Sequence, residues 1–177
     1  MATPLLTNTQ LARDHHLLYD FIVPSESPSP RFVAPRVIPD VNVLLNGITG
    51  KPRSLNRRLY KGFTHGLVRF VISEPWLEEF ERVLNYPQVI NLGITPSLVA
   101  KTMRELLLLA DYVAPVPRFD WTGLGDLKDW YLLDLLWESR CDGLITQDSK
   151  VHRYGQKYGL PIYKPGELIK MGILSSK

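Results

Sequence analysis

Asp40 and Asp148 stand at matching points of the chain. In "RVIPDVNVLL" a short apolar stretch runs into Asp40 and then into a helical pattern, and in "DGLITQDSK" a second stretch runs through Thr146 into Asp148. An aspartate at such a junction caps the following helix, a contribution of about 1 kcal/mol. In an open parallel sheet the same junction is where functional side chains gather. One carboxylate can serve both roles. Asn42 beside Asp40, and Thr146 and Ser149 beside Asp148, are small polar partners for either.

Helical segments contribute further acids. In "SEPWLEEFERVL" the apolar face runs through Trp76 or Leu77, Phe80, Val83 and Leu84. Glu79 borders that face and can look over the sheet end, whereas Glu78 and Glu81 are expected to be more exposed. Asp129 opens the helix "LKDWYLLDLLWES", where the helix dipole favours an anion. Asp134 falls mid-helix among leucines and is expected on an exposed polar stripe. Carboxylates that converge repel one another unless a cation neutralises them. Oxygen-only ligation suits Mg²⁺ or Mn²⁺, and such an ion can activate water against a phosphodiester.

The charge distribution fits a phosphate-bearing partner. The net charge is only +3, yet no acid occurs between Asp40 and Glu74, where Lys51, Arg53, Arg57, Arg58, Lys61 and Arg69 all lie. A one-signed segment of this kind can follow a nucleic-acid backbone. The plainer account is a solvated helix face followed by a loop.

These residues need a scaffold. A chain of 177 residues with 45% hydrophobic content has the length for one domain with a full core. Residues 1–35 read as an N-terminal extension: "LARDHHLLYDFI" has the pattern of a short amphipathic helix, and "VPSESPSPRFVAPR" that of an extended linker. From Arg36 strands and helices alternate. "RVIP", "LVRFVIS", "YVAPV", "DGLIT" and "PIYK" read as strands. Between and after them lie helices, with Ser54 and Thr95 as N-caps, Gly66 as a stop, and Pro87 beyond the end of the "EPWLEEFERVL" helix. The alternation predicts an α/β domain over residues 36–177 with right-handed crossovers and a mostly parallel sheet.

Other features narrow the field. The single cysteine, Cys141, excludes an internal disulfide and a cysteine-cluster metal site, and fits a cytoplasmic location. No apolar run approaches the roughly 18 residues of a membrane span, and the N-terminus lacks the pattern of a signal peptide. His15, His16, His65 and His152 lack metal-ligand spacing, and "GITGKP" lacks the ending of a phosphate loop. Trp76, Trp121, Trp130 and Trp137 are expected mainly in the core, with Trp130 the one placed to stack on a base.

The blocks "VIPDVNVLLNGITG", "VISEPWLEEFERVLNYP", "LKDWYLLDLLWESRCDGLITQDSK" and "GLPIYKPGELIK" together resemble the successive blocks of PIN-domain proteins. The resemblance covers roughly residues 36–171 and is greatest to the branch of toxins from toxin–antitoxin pairs, related to VapC-like ribonucleases. It implies a three-layer α/β/α PIN-like fold with about five strands. It also implies a metal-dependent endoribonuclease in which Asp40, Glu79, Asp129 and Asp148 hold Mg²⁺ or Mn²⁺, supported by Asn42 and Thr146. Asp126 is the reserve for Asp129, and Glu78 for Glu79. Lys51, Arg53, Arg57, Arg58 and Lys61 are the expected RNA contacts, and a cognate antitoxin and a homodimer are the implied partners. Two alternatives are a PIN-fold binding module that no longer cleaves and a phosphate-receiver domain. The second needs a phospho-acceptor aspartate paired with a strand-end lysine, a pair this sequence does not offer convincingly.

Overall fold

The computed structural model describes residues 33–114, 120–121 and 130–170, with side chains through Leu168. The chain divides into Met1–Val33 and Ala34–Lys177, and every described strand and helix lies in the second unit. Its strands are β1 (Arg36–Pro39), β2 (Arg69–Ile72), β3 (Asp111–Tyr112), β4 (Gly143–Ile145) and β5 (Ile162–Tyr163). All pairings are parallel, in the order β3-β2-β1-β4-β5. The helices are α1 (Val41–Thr49), α2 (Leu55–Thr64), α3 (Glu74–Leu84), α4 (Pro87–Ile90), α5 (Pro96–Leu109), α6 (Trp130–Ser139), α7 (Ser149–Tyr158) and α8 (Glu167–Lys170).

The architecture is α/β, as the alternation predicts. From β1 the chain steps outward through β2 to β3, then returns to the other side of β1 for β4 and β5. With right-handed crossovers this reversal puts helices on both faces and gives three layers. It also makes the β1/β4 boundary the topological switch point, where a crevice forms at the carboxyl ends of the strands.

Local chemistry explains the elements. Ser54 Oγ accepts from Arg57 N at 3.2 Å and Thr95 Oγ1 from Leu98 N at 3.2 Å, so both caps act as expected. Gly66 lies just past α2 with φ 71°, a conformation that favours glycine. Pro87 does more than follow a helix: it opens α4, because the first helical position needs no N–H. The strand expected in "YVAPV" is set back to Asp111–Tyr112. There Asp111 pairs with Arg36, at 2.8 Å, and with Arg69, tying together the starts of three strands. Gly143 admits no side chain, since a Cβ would lie 2.6 Å from the Tyr163 ring and 2.9 Å from the Pro161 carbonyl oxygen.

The core is aromatic where β2 meets its helices. Phe63 and Phe70 stack at 4.2 Å, and Trp76 and Phe80 at 5.6 Å, all fully buried. Trp137 departs from the core expectation: it is 60% exposed and meets Trp121 edge-on at 6.4 Å. Cys141 is buried, as is His152, whose Nε2 lies 3.1 Å from Glu167 Oε2. No helix among the described residues is long and apolar enough to cross a membrane.

Pro39 shapes the edge that matters. It closes the central strand, and having no N–H it cannot extend a ladder. Pairing with β4 reaches Pro39↔Ile145, whereas the register with β2 runs through Val37↔Phe70. The Pro39 carbonyl accepts the buried Trp76 Nε1–H at 2.7 Å.

Candidate active site at the carboxyl edge

Asp40 leaves β1 at the switch point and is only 9% exposed. Its backbone N–H continues the ladder to Ile145 O at 2.9 Å. The side chain is held at both oxygens: Oδ1 accepts from Asn42 N at 2.9 Å, capping α1, and Oδ2 accepts from Thr146 Oγ1 at 2.6 Å. Asn42 therefore acts through its backbone, and its side chain is exposed. Thr146, fully buried, also accepts Asp148 N on the same Oγ1 at 3.0 Å. One hydroxyl thus joins the ends of β1 and β4. Asp148 caps α7, with Oδ1 accepting from Lys150 N at 2.6 Å and Val151 N at 3.3 Å. No hydrogen bond among the described residues engages its Oδ2, so capping leaves one oxygen for a ligand.

The third acid comes from α3. The Trp76 bond to Pro39 pins this helix to the end of β1, and Glu79, three residues on, falls on the same side. Glu79 is half-buried, while Glu78 and Glu81 are both exposed, in line with the amphipathic reading. Arg82 grips Glu79 bidentately, with Nε donating to Oε2 at 2.7 Å and Nη2 to Oε1 at 2.5 Å. Ser73 belongs to the same edge, and sequence reasoning misses it. Continuing the β1/β2 register brings it level with Asp40, and its buried Oγ has no hydrogen-bond partner among the described residues. Its position directly before "EPW" at a strand end is the available signal.

Burial pushes the Asp40 carboxyl above its usual range. The hydrogen bonds from Thr146 and Asn42 oppose that rise, and the charges of Asp148 and Glu79 add to it. Asp40 therefore feels both other acids, and a hard cation beside it would relieve that repulsion. The oxygen-only donor set suits Mg²⁺ or Mn²⁺. Asp40 and Asp148 are the residues best placed to hold it. Among the described residues no three His, Cys, Asp or Glu side chains are grouped so that they could hold one metal ion. Asp129 and its reserve Asp126 lie outside the described residues.

Asp134 corrects its expectation. It is buried at 5% exposure, and Oδ1 accepts the Trp121 indole N–H at 2.7 Å, so α6 carries no exposed polar stripe at that position. The basic segment divides by task. Lys51, Arg53 and Lys61 are exposed. Arg57 Nη1 donates to the carbonyls of Gly47 and Ile48, at 3.1 and 3.0 Å, and so closes the carboxyl end of α1. Arg58 is half-buried with Nη2 unpartnered among the described residues, and Arg69 is paired with Asp111. Asp142 sits at the opposite edge, where Oδ2 accepts Arg36 N at 2.7 Å.

No protein-family model matches the chain, and no curated protein matches it in sequence.

Proposed function

We propose that this chain is a Mg²⁺- or Mn²⁺-dependent endoribonuclease that hydrolyses RNA phosphodiester bonds. The observation that carries the reading is Asp40: a buried carboxylate at the topological switch point, with Asp148 and Glu79 both raising its pKa. Such a site is costly without a cation and suited to one. Asp40 and Asp148 would hold the ion, with Glu79 reaching it on release from Arg82 and Asp129 joining on the PIN-domain resemblance. A divalent ion supplies Lewis acidity for the attack of water on a phosphodiester. The chain's own residues orient and exclude. Thr146 and the Asn42 N–H fix the plane of the Asp40 carboxylate, and burial keeps bulk water from it. Within the basic segment, Lys51, Arg53 and Lys61 are the exposed cations that would take backbone phosphates.

The test is cleavage of structured and unstructured RNA by purified protein, with Mn²⁺ or with EDTA. Cleavage should require Mn²⁺ and disappear in Asp40→Asn. Equal behaviour of wild type and variant would sink the reading. The toxin role, with an antitoxin and a homodimer as partners, rests on the resemblance of the four sequence blocks. Co-purification with the protein encoded next to this one checks it. A second reading, a PIN-fold module that binds RNA without cleaving it, draws on the Arg82 clamp that already neutralises Glu79. Metal-independent RNA binding without cleavage is its signature.

A further inference from the structure

Asp148 is followed by a second acid-free stretch, residues 149–166, which carries Lys150, Arg153, Lys157 and Lys164. Its first part is α7 (Ser149–Tyr158), and the side this helix shows to solvent follows from how it is seated. Val151, His152 and Gly155 are buried. At Gly155 a Cβ would lie 2.7 Å from the Ile162 side chain, so the helix backbone rests directly on β5. His152 Nε2, 3.1 Å from Glu167 Oε2, fastens the same side to α8.

Successive helical residues turn by about 100°, so the opposite side carries Lys150, Arg153, Tyr154, Lys157 and Tyr158. That i, i+3, i+4, i+7, i+8 spacing is the pattern of a face made for contact. Here it turns outward and interleaves cations with phenol rings. Lys150, Arg153 and Lys157 are exposed, and none joins an ion pair among the described residues. Arg153 Nε donates to Ser149 O at 3.2 Å, a bond within its own helix. The stretch after Asp40 differs, since Arg57 and Arg69 are engaged internally there. The Tyr154 and Tyr158 rings lie 4.6 Å apart, and Lys157 Nζ is 4.9 Å from the centroid of Tyr158, itself half exposed.

The face begins at the acid edge, where Asp148 Oδ1 accepts Lys150 N at 2.6 Å, and runs about 12 Å along the helix. Like charges three and four residues apart repel one another, and a polyanion laid along them relieves the repulsion. The rings decide which polyanion. Cations that take phosphates, alternating with rings that stack on bases, suit a single strand. A duplex keeps its base faces stacked and offers the tyrosines nothing.

We propose that the outer face of α7 is the track along which single-stranded RNA leaves the acid edge. The assignment rests on the ribonuclease reading and adds the path of the strand that flanks the phosphodiester to be cut.

The experiment follows fluorescence anisotropy of labelled RNA on full-length Asp40→Asn protein in EDTA, so that neither metal nor cleavage enters. The probes are a single-stranded RNA and the same RNA as a duplex, with poly-glutamate as competitor. The single strand should bind at least tenfold more tightly than the duplex, and poly-glutamate should not displace it. Replacing Lys150, Arg153 and Lys157 together by glutamine should weaken binding at least tenfold. It should also lower the slope of log affinity against log salt by about 2, from three phosphate contacts at roughly 0.7 each. Tyr158→Ala should weaken binding severalfold and leave that slope unchanged, because stacking releases no counterions. All four positions are exposed, and the melting temperature of each variant checks that it folds. Unchanged affinity and slope in the triple variant, or duplex or poly-glutamate binding as tightly as the single strand, would overturn the proposal. Mn²⁺-dependent cleavage that is undiminished by the three glutamines removes the track and leaves the nuclease. Binding along α7 with no cleavage by the wild-type chain keeps the track and removes the nuclease.

Discussion

Replacing Thr146 by valine tests the link between the two strand ends with little change of shape. The side chain is fully buried, so the methyl that replaces Oγ1 occupies nearly the same space. Two hydrogen bonds vanish: the donation to Asp40 Oδ2 at 2.6 Å and the acceptance from Asp148 N at 3.0 Å. A bond to a charged partner contributes about 1.5–3 kcal/mol and a neutral one about 0.5–1.5 kcal/mol, so the expected cost at pH 7 is about 2–4 kcal/mol. That cost depends on pH. The Thr146 hydroxyl lowers the Asp40 pKa against the rise caused by burial, and its loss moves that pKa higher still. A carboxyl raised in the folded state binds its proton more tightly there than in the unfolded chain. Both proteins therefore gain native stability from Asp40 as pH falls through the folded-state value toward 3.8, and the variant gains more. Urea unfolding at pH 7 and near pH 4, in the wild-type and Asp40→Asn backgrounds, should show the cost of Thr146→Val falling by about 1 kcal/mol wherever Asp40 is uncharged. An equal cost in both backgrounds and at both pH values would refute the idea that this hydroxyl supports the Asp40 carboxylate.

Two more outcomes are expected at the same edge. Asp40→Asn removes a buried charge crowded by two acids, so metal-free variant protein should melt above wild type at neutral pH. Added Mn²⁺ should raise the wild-type melting temperature and leave the variant where it was, and a variant that responds to Mn²⁺ like wild type would place the ion elsewhere. Arg82→Gln releases Glu79 from its bidentate partner and restores its full charge beside Asp40. Calorimetric titration with Mn²⁺ should then show severalfold tighter binding, and weaker binding would show that the Arg82 clamp orients Glu79 for the metal.

The frame of the fold was legible because its signals are local. Strand-to-helix alternation, the Ser54 and Thr95 caps and the amphipathic face that carries Glu79 at its border all depend on neighbours within a few residues. Asp40 and Asp148 stand out for the same reason, since an aspartate at a strand end is conspicuous whether it caps or binds. What stayed hidden depends on residues far apart in the chain. Asp134 is covered because Trp121, thirteen residues earlier, donates to it. Arg57 looks like a phosphate ligand, yet the α1 carbonyls it reaches lie across a turn whose path the sequence does not state. Asn56 and Gln147 meet across 91 positions, and an amide shared between them leaves no trace in composition or periodicity.

The proline that closes β1 has a consequence for how this edge opens. Because a helix indole, and not a neighbouring strand, holds the last β1 carbonyl, the seat of Asp40 is shared between the sheet and α3. Local unfolding of α3 then cannot leave the acid edge intact, and the two should exchange hydrogen as one cooperative unit. The Trp76 indole N–H and the Asp40 amide, which bonds to Ile145 O, are reporters on either side of that seam. Equal protection of the two protons against deuterium, and its joint loss in a variant that loosens α3, would mark the site as the place where the layers of this domain are fastened together.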